Sequence, residues 1–175
     1  FYDNEIYLKD LKTRLDRINW TYKFQDYKKV FLNYQILREK KNPEASVIII
    51  SYRVLKETIQ SLKILTTNKK ADSYEIIFVN NGEKEENFAE IKKYVDVFIN
   101  LNENSGAYKA RNIGAVFAAG KYLIFLEDDG IPQENFVEAH LKAYQMYDAI
   151  SVRGVITPVK NSSLNALASH YYLGP

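Results

Sequence analysis

Residues 122–130 read YLIFLEDDG: five mostly apolar residues that run straight into three acids, Glu127, Asp128 and Asp129. The apolar run has the length and composition of a buried strand. Three adjacent carboxylates repel one another and are costly to remove from water, so something must compensate them. A plain turn is the alternative, because Asp-Asp-Gly is ordinary turn chemistry and Pro132 just beyond suits the first turn of a helix. The segments on either side decide between the two.

Working outward, short β-branched or aromatic runs alternate with helical periodicity from Ala45 onward. SVIIISY (46–52), YEIIFVNNG (74–82), VDVFINL (95–101) and KYLIFL (121–126) read as strands, and AISVRGVITPV (149–159) as a fifth. Between them, LKETIQSLKIL (55–65), EENFAEIKKY (85–94), SGAYKARNIGAVFAAG (105–120) and PQENFVEAHLKAYQMY (132–147) read as helices. In the third, Ser105 is the expected N-cap and Gly120 the stop. This alternation predicts an α/β fold: an open, mostly parallel, Rossmann-like sheet with helices on both faces. Ligands of such sheets bind outside the carboxyl ends of the strands, where Glu127, Asp128 and Asp129 fall. Ser51-Tyr52-Arg53 and Asn80-Asn81-Gly82 end the first two of these strands at the same edge, which predicts a polar pocket there.

Residues 1–44 differ in texture. Leu8, Leu11, Leu15 and Ile18, then Tyr27, Phe31, Tyr34 and Leu37 or Arg38, recur at helical spacing, and Pro43 closes the pattern. The expectation is an N-terminal helical arm over 1–44, followed by a ligand-binding domain over 45–175.

At 175 residues and 46% hydrophobic composition, the chain suits one sizeable core. A net charge of +2 is too small to point to nucleic acid or an acidic membrane as the main partner. The absence of cysteine removes disulfides and thiolate metal sites and is compatible with a reducing compartment. No apolar run is long enough to span a bilayer and no signal-peptide pattern opens the chain, so a soluble chain is expected. Because it opens on Phe1, it reads as a piece of something longer. There is no G-x-G-x-x-G after the first strand and no G-x-x-x-x-G-K-[ST], which argues against dinucleotide oxidoreductases and P-loop enzymes. A nucleotidyltransferase is disfavoured too, since no Gly-rich, Lys-containing loop follows that strand. His140 lies on an amphipathic helix and reads as a surface or packing residue.

Taken together, SVIIISYR, EIIFVNNG, NENSGAYKARNIGAVFAAGKYLIFLEDD and ISVRGVITPV, in that order from Ser46 to about Val159, resemble the family 2 nucleotide-sugar glycosyltransferases of GT-A fold. The third segment is the most specific. The resemblance implies sugar transfer, with inversion, from a nucleoside-diphosphate sugar (UDP favoured) to a glycan or lipid-linked acceptor, as in polysaccharide biosynthesis. It also implies Mn²⁺ or Mg²⁺, because a hard dication with carboxylate ligands stabilises the departing diphosphate. Glu127-x-Asp129 would be the D-x-D motif. Asp129 would then ligate the metal, with Glu127 as second candidate, and Asp128 or Glu127 would hold the ribose hydroxyls or a metal-bound water. Ser51, Tyr52 and Arg53 match the loop against base and ribose, and Arg111 is aimed at the nucleotide. Asn80 stands where the family has Asp facing the uracil N3–H, with Asn81 beside it; Glu127 and Asn80 are the two departures.

An inverting transfer also needs a general base. No Asp or Glu follows Glu138 except Asp148, so the base is expected beyond Pro175 and the chain reads as truncated before the acceptor half. The expected location is the cytoplasm, with any membrane association through other parts of the protein. The competing expectation is a catalytically inactive, glycosyltransferase-like nucleotide-binding or scaffold domain.

Overall fold

The computed structural model describes residues 4–157. In chain order the elements are α1 (Glu5–Arg17), α2 (Phe24–Lys28), β1 (Phe31–Ile36), β2 (Ala45–Ser51), α3 (Lys56–Thr67), β3 (Tyr74–Asn80), β4 (Val97–Leu101), α4 (Ala107–Phe117), β5 (Tyr122–Glu127) and α5 (Phe136–Met146). The five strands form one sheet in the order β1-β4-β3-β2-β5. All neighbours are parallel except β1, which runs antiparallel to β4.

β2 and β3 are buried at every position, as strands covered on both faces must be. Alternation then sorts their side chains. Ile48, Ile50, Ile77 and Val79 face α1 and α4, where they meet Leu11, Leu15, Ala110 and Ile113. Val47, Ile49, Ile76 and Phe78 face α3 and α5, where they meet Leu62, Leu65, Val137 and Leu141. The four parallel strands thus lie where the sequence predicts them, in an α/β sheet flanked by helices.

Four expectations are corrected. The helical arm holds only as far as Lys28: residues 31–36 form a strand, paired from Phe31↔Leu101 to Ile36↔Val97. Tyr34 sits on Tyr7 and Phe117, with ring centroids 5.7 and 4.8 Å away, and tertiary packing of aromatic, β-favouring residues overrides the helical spacing. The segment 85–94 forms two short 3₁₀ turns, Glu85–Phe88 and Ile91–Lys93, in place of a helix. These turns seat Phe88 and Ile91 under β3 and β4. The strand expected over 149–159 is absent from its described part, since residues 151–157 have no regular structure, and the remainder lies outside the described residues. Ser105 does not cap α4; Gly106 does so by position, with φ of 78° and no side chain to offer.

Candidate functional site

Strand register brings the candidate residues to one edge. Ser51 at the end of β2 lies opposite Asn80 at the end of β3, and Ile50 lies opposite Glu127 at the end of β5. The chain then turns, with Gly130 N–H donating to Glu127 O at 3.1 Å. The turn is moored to α3, where Thr58 Oγ1 donates to Asp128 O at 2.7 Å and Ser61 Oγ to Gly130 O at 2.6 Å.

Each of the three acids has a different compensation. Glu127 is ion-paired with Arg111 of α4, the acid being 60% and the guanidinium 25% exposed. Asp128 Oδ2 accepts the Ser51 hydroxyl at 2.5 Å, although the single Ser51 proton is also within reach of Arg53 O. Asp129 is exposed and has no hydrogen-bond or ion-pair partner among the described residues, so water solvates it. Tyr52 is 50% exposed beside them, and the Arg53 guanidinium is likewise without a partner. Arg111 lies on the helix face that also carries the exposed Tyr108.

The donor set suits a hard divalent cation. Asp129, the second oxygen of Asp128 and the second oxygen of Glu127 are all carboxylate oxygens. Among the described residues no group of three or more Asp, Glu, His or Cys side chains is arranged to hold an ion.

Asn80 is placed differently from the expectation. It shares the Phe78 face of β3, is 1% exposed, and has its carboxamide fully engaged. Nδ2 donates to Glu83 O at 2.7 Å and to Asn100 Oδ1 at 3.0 Å, while Oδ1 accepts Glu83 N–H at 2.9 Å. Asn100 in turn donates to Asn33 Oδ1 (2.7 Å) and to Glu85 Oε2 (2.8 Å). Glu85 also takes Gln35 Nε2 at 2.7 Å and Lys92. Asn80 therefore shapes the 80–83 turn from beneath, and no donor of its amide is left for a ligand. Asn81, on the opposite face, is tied instead to Asn104 and Ser105 ahead of α4. The polar run NENS (102–105) and the lone Asn33 and Asn100 within strands were the sequence signals for these contacts.

Burial pushes the Glu85 carboxyl up, but the hydrogen bonds from Lys92, Gln35 and Asn100 and the Lys92 charge outweigh it and hold it below its ordinary 4.5. A carboxyl lowered on folding contributes stability that is full above pH 4.5 and is lost as pH falls through its folded value. Glu85→Gln should lower the melting temperature at neutral pH and flatten its decline below pH 4.5. An unchanged acid limb in thermal melts would refute this.

A cleft of about 410 Å³ lined by Thr67, Asn68, Lys69, Glu134 and Glu138 lies at the far end of α3 from the acids and gathers none of these residues.

Residues 46–171 match the family model described as Glycosyl transferase family 2. The chain belongs to that family. Relatives similar to it include an uncharacterized glycosyltransferase of Rickettsia bellii, 35% identical over 113 residues, which are 62% of this chain and 16% of that protein. The uncharacterized glycosyltransferase YfnE of Bacillus subtilis is 27% identical over 64% of this chain and 30% of its own length. Glycosyltransferase AglE of Haloferax volcanii is 29% identical over 55% of this chain and 34% of its own. The matched segments thus span about a third or less of these proteins. A crystal structure of Staphylococcus aureus TarS, residues 1–349, superposes with a TM-score of 0.54 at 19% identity over 65% of this chain and 38% of that one, a likeness of fold. The expected GT-A type of sheet is thereby the one observed.

Proposed function

We propose that this family 2 domain binds a nucleoside-diphosphate sugar, UDP-linked by preference, for divalent-metal-dependent, inverting transfer to a glycan or lipid-linked acceptor. The observation that carries the reading is the convergence of Ser51, Arg111, Glu127, Asp128 and Asp129 on one sheet edge. Arg111 is close enough to the acids to bind a phosphate without leaving the site, and its bidentate fork suits that group. Tyr52 offers an exposed ring to the base, and Arg53 an exposed charge beside it. Asp128, oriented by Ser51, is the acceptor for ribose hydroxyls. Asp129 and the outward oxygen of Glu127 would hold Mn²⁺ or Mg²⁺, which when bound neutralises charge on the diphosphate leaving group. Transfer also needs a base at the acceptor hydroxyl, and none of the residues gathered at this edge is assigned that role.

Calorimetric titration with UDP, with and without Mn²⁺, tests the reading. The unaltered chain should bind more tightly with the metal, and Asp129→Ala should remove that increment, at least about tenfold or 1.4 kcal/mol. Affinity indifferent to metal and to Asp129 would favour an inactive scaffold domain instead.

A further inference from the structure

Asp129 is aimed by its backbone alone. Its carboxylate is exposed and meets no partner among the described residues, so no contact of its own fixes where it points. Asp128 differs, because Ser51 holds its carboxylate directly. The direction of the Asp129 Cβ depends on the two peptide planes that meet at its Cα, since each peptide is planar and turns as a unit. One plane joins Asp129 to Gly130, and its N–H donates to Glu127 O at 3.1 Å. The other joins Asp128 to Asp129, and its carbonyl, Asp128 O, accepts the Thr58 hydroxyl at 2.7 Å. Among the described residues, Thr58 is the one side chain bonded to that second plane.

Thr58 is built to hold it. The residue lies in the first turn of α3, is fully buried, and its branched side chain has few rotamers. Ser61, three residues on and on the same helix face, is buried too and donates to Gly130 O at 2.6 Å. Glu57 O, at 2.9 Å, competes for that single Ser61 proton, whereas the Thr58 hydroxyl has no second acceptor. We infer that Thr58 is a positioning residue for the acidic turn: its hydroxyl fixes the 128–129 peptide and with it the direction in which Asp129 presents its carboxylate to a divalent cation. This rests on the reading that Asp129 holds that cation. With no exposed surface of its own, Thr58 acts through Asp129. Because α3 follows directly on the 51–53 loop, one helix both continues the nucleoside side of the site and braces the metal side.

The test is calorimetric titration of the full chain with UDP, with and without Mn²⁺. Thr58→Val keeps the shape and removes the donor, and losing an outer partner of a metal ligand typically costs about 10–100-fold in metal affinity. The gain in UDP affinity on adding Mn²⁺, about tenfold or more in the unaltered chain, should fall below about threefold in Thr58→Val. Metal-free UDP affinity should change by less than about twofold. Thr58→Ser keeps the hydroxyl and should restore the gain. Should Thr58→Val fail to fold, Thr58→Ala carries the same test. In an Asp129→Ala background, either substitution should change affinity by less than about twofold. Equal losses with and without metal would overturn the proposal, because they mark a role confined to stability. A gain that survives Thr58→Val but not Asp129→Ala would overturn this proposal alone. An unaltered chain that binds UDP no better with Mn²⁺ would overturn the Asp129 reading, and this proposal with it.

Discussion

Removing residues 1–44 is expected to unfold the domain rather than trim an appendage from it. The segment supplies β1 and with it the outer ladder of β4. It also supplies Leu11, Leu15, Tyr27, Val30 and Phe31, each no more than 2% exposed. Phe31 stacks on Phe117 of α4 with centroids 5.5 Å apart, and the Arg14 guanidinium lies over the same ring at 4.5 Å. Burying such a side chain contributes about 1.5–3 kcal/mol. Five of them together rival the entire net stability of a domain, about 5–15 kcal/mol. Their loss would also bare Ile99, Leu101, Ile113 and Phe117 to water. The truncated chain should therefore aggregate, or melt without a cooperative transition while binding a hydrophobic dye. A soluble monomer with an unchanged melting temperature would show the segment to be a separate unit.

That segment is also where the sequence was hardest to read. β2, β3, β4 and β5 are legible because each holds at least three consecutive aliphatic or aromatic residues. In β1 the polar Asn33 and Gln35 interrupt the run, and they make sense only once Asn100 is known to donate to Asn33 and Glu85 to accept from Gln35. The spacing of Tyr27, Phe31 and Tyr34 fits a helix equally well, because three- and four-residue steps also arise when a short helix runs into a strand. The site was legible in a different way. An acidic triplet after an apolar run, and Arg111 on the preceding helix, are local patterns, and the structure brings them into contact, although the run itself is an edge strand with Leu123 and Phe125 exposed. Asn80 was misplaced because adjacent residues at a strand end point to opposite faces. Sharing the Phe78 face puts Asn80 inside, whereas the loop partners of Asn81 lie more than twenty residues away.

Gly82→Ala should be the most damaging single methyl group that can be added at this edge. Gly82 has φ of +97°, where an L side chain is strained. Its Cβ would stand 2.2 Å from Glu103 C and 2.4 Å from Asn104 N. Both are backbone atoms, so no rotamer change relieves the overlap. The left-handed backbone costs about 1–2 kcal/mol and forced repacking about 1–3 kcal/mol more, for a total of roughly 3 kcal/mol. In a domain of this size that lowers the melting temperature by about 6–12 °C. Gly106→Ala isolates the two causes. Gly106 also has a positive φ, 78°, but nothing lies within 4 Å of its Cβ, so only the backbone cost, again about 1–2 kcal/mol, should appear. The larger loss at Gly82 should extend to the site. Pushing Glu103 and Asn104 aside pulls Asn104 Oδ1 from Asn81 Nδ2 and Gly106 N–H, and α4 begins at that point. Thermal melts of the two variants side by side check the difference, and amide exchange at Gly106 checks its reach. Equal melting temperatures for the two would mean that the 82–104 contact is loose enough to yield, and that the close approach does not hold the loop ahead of α4.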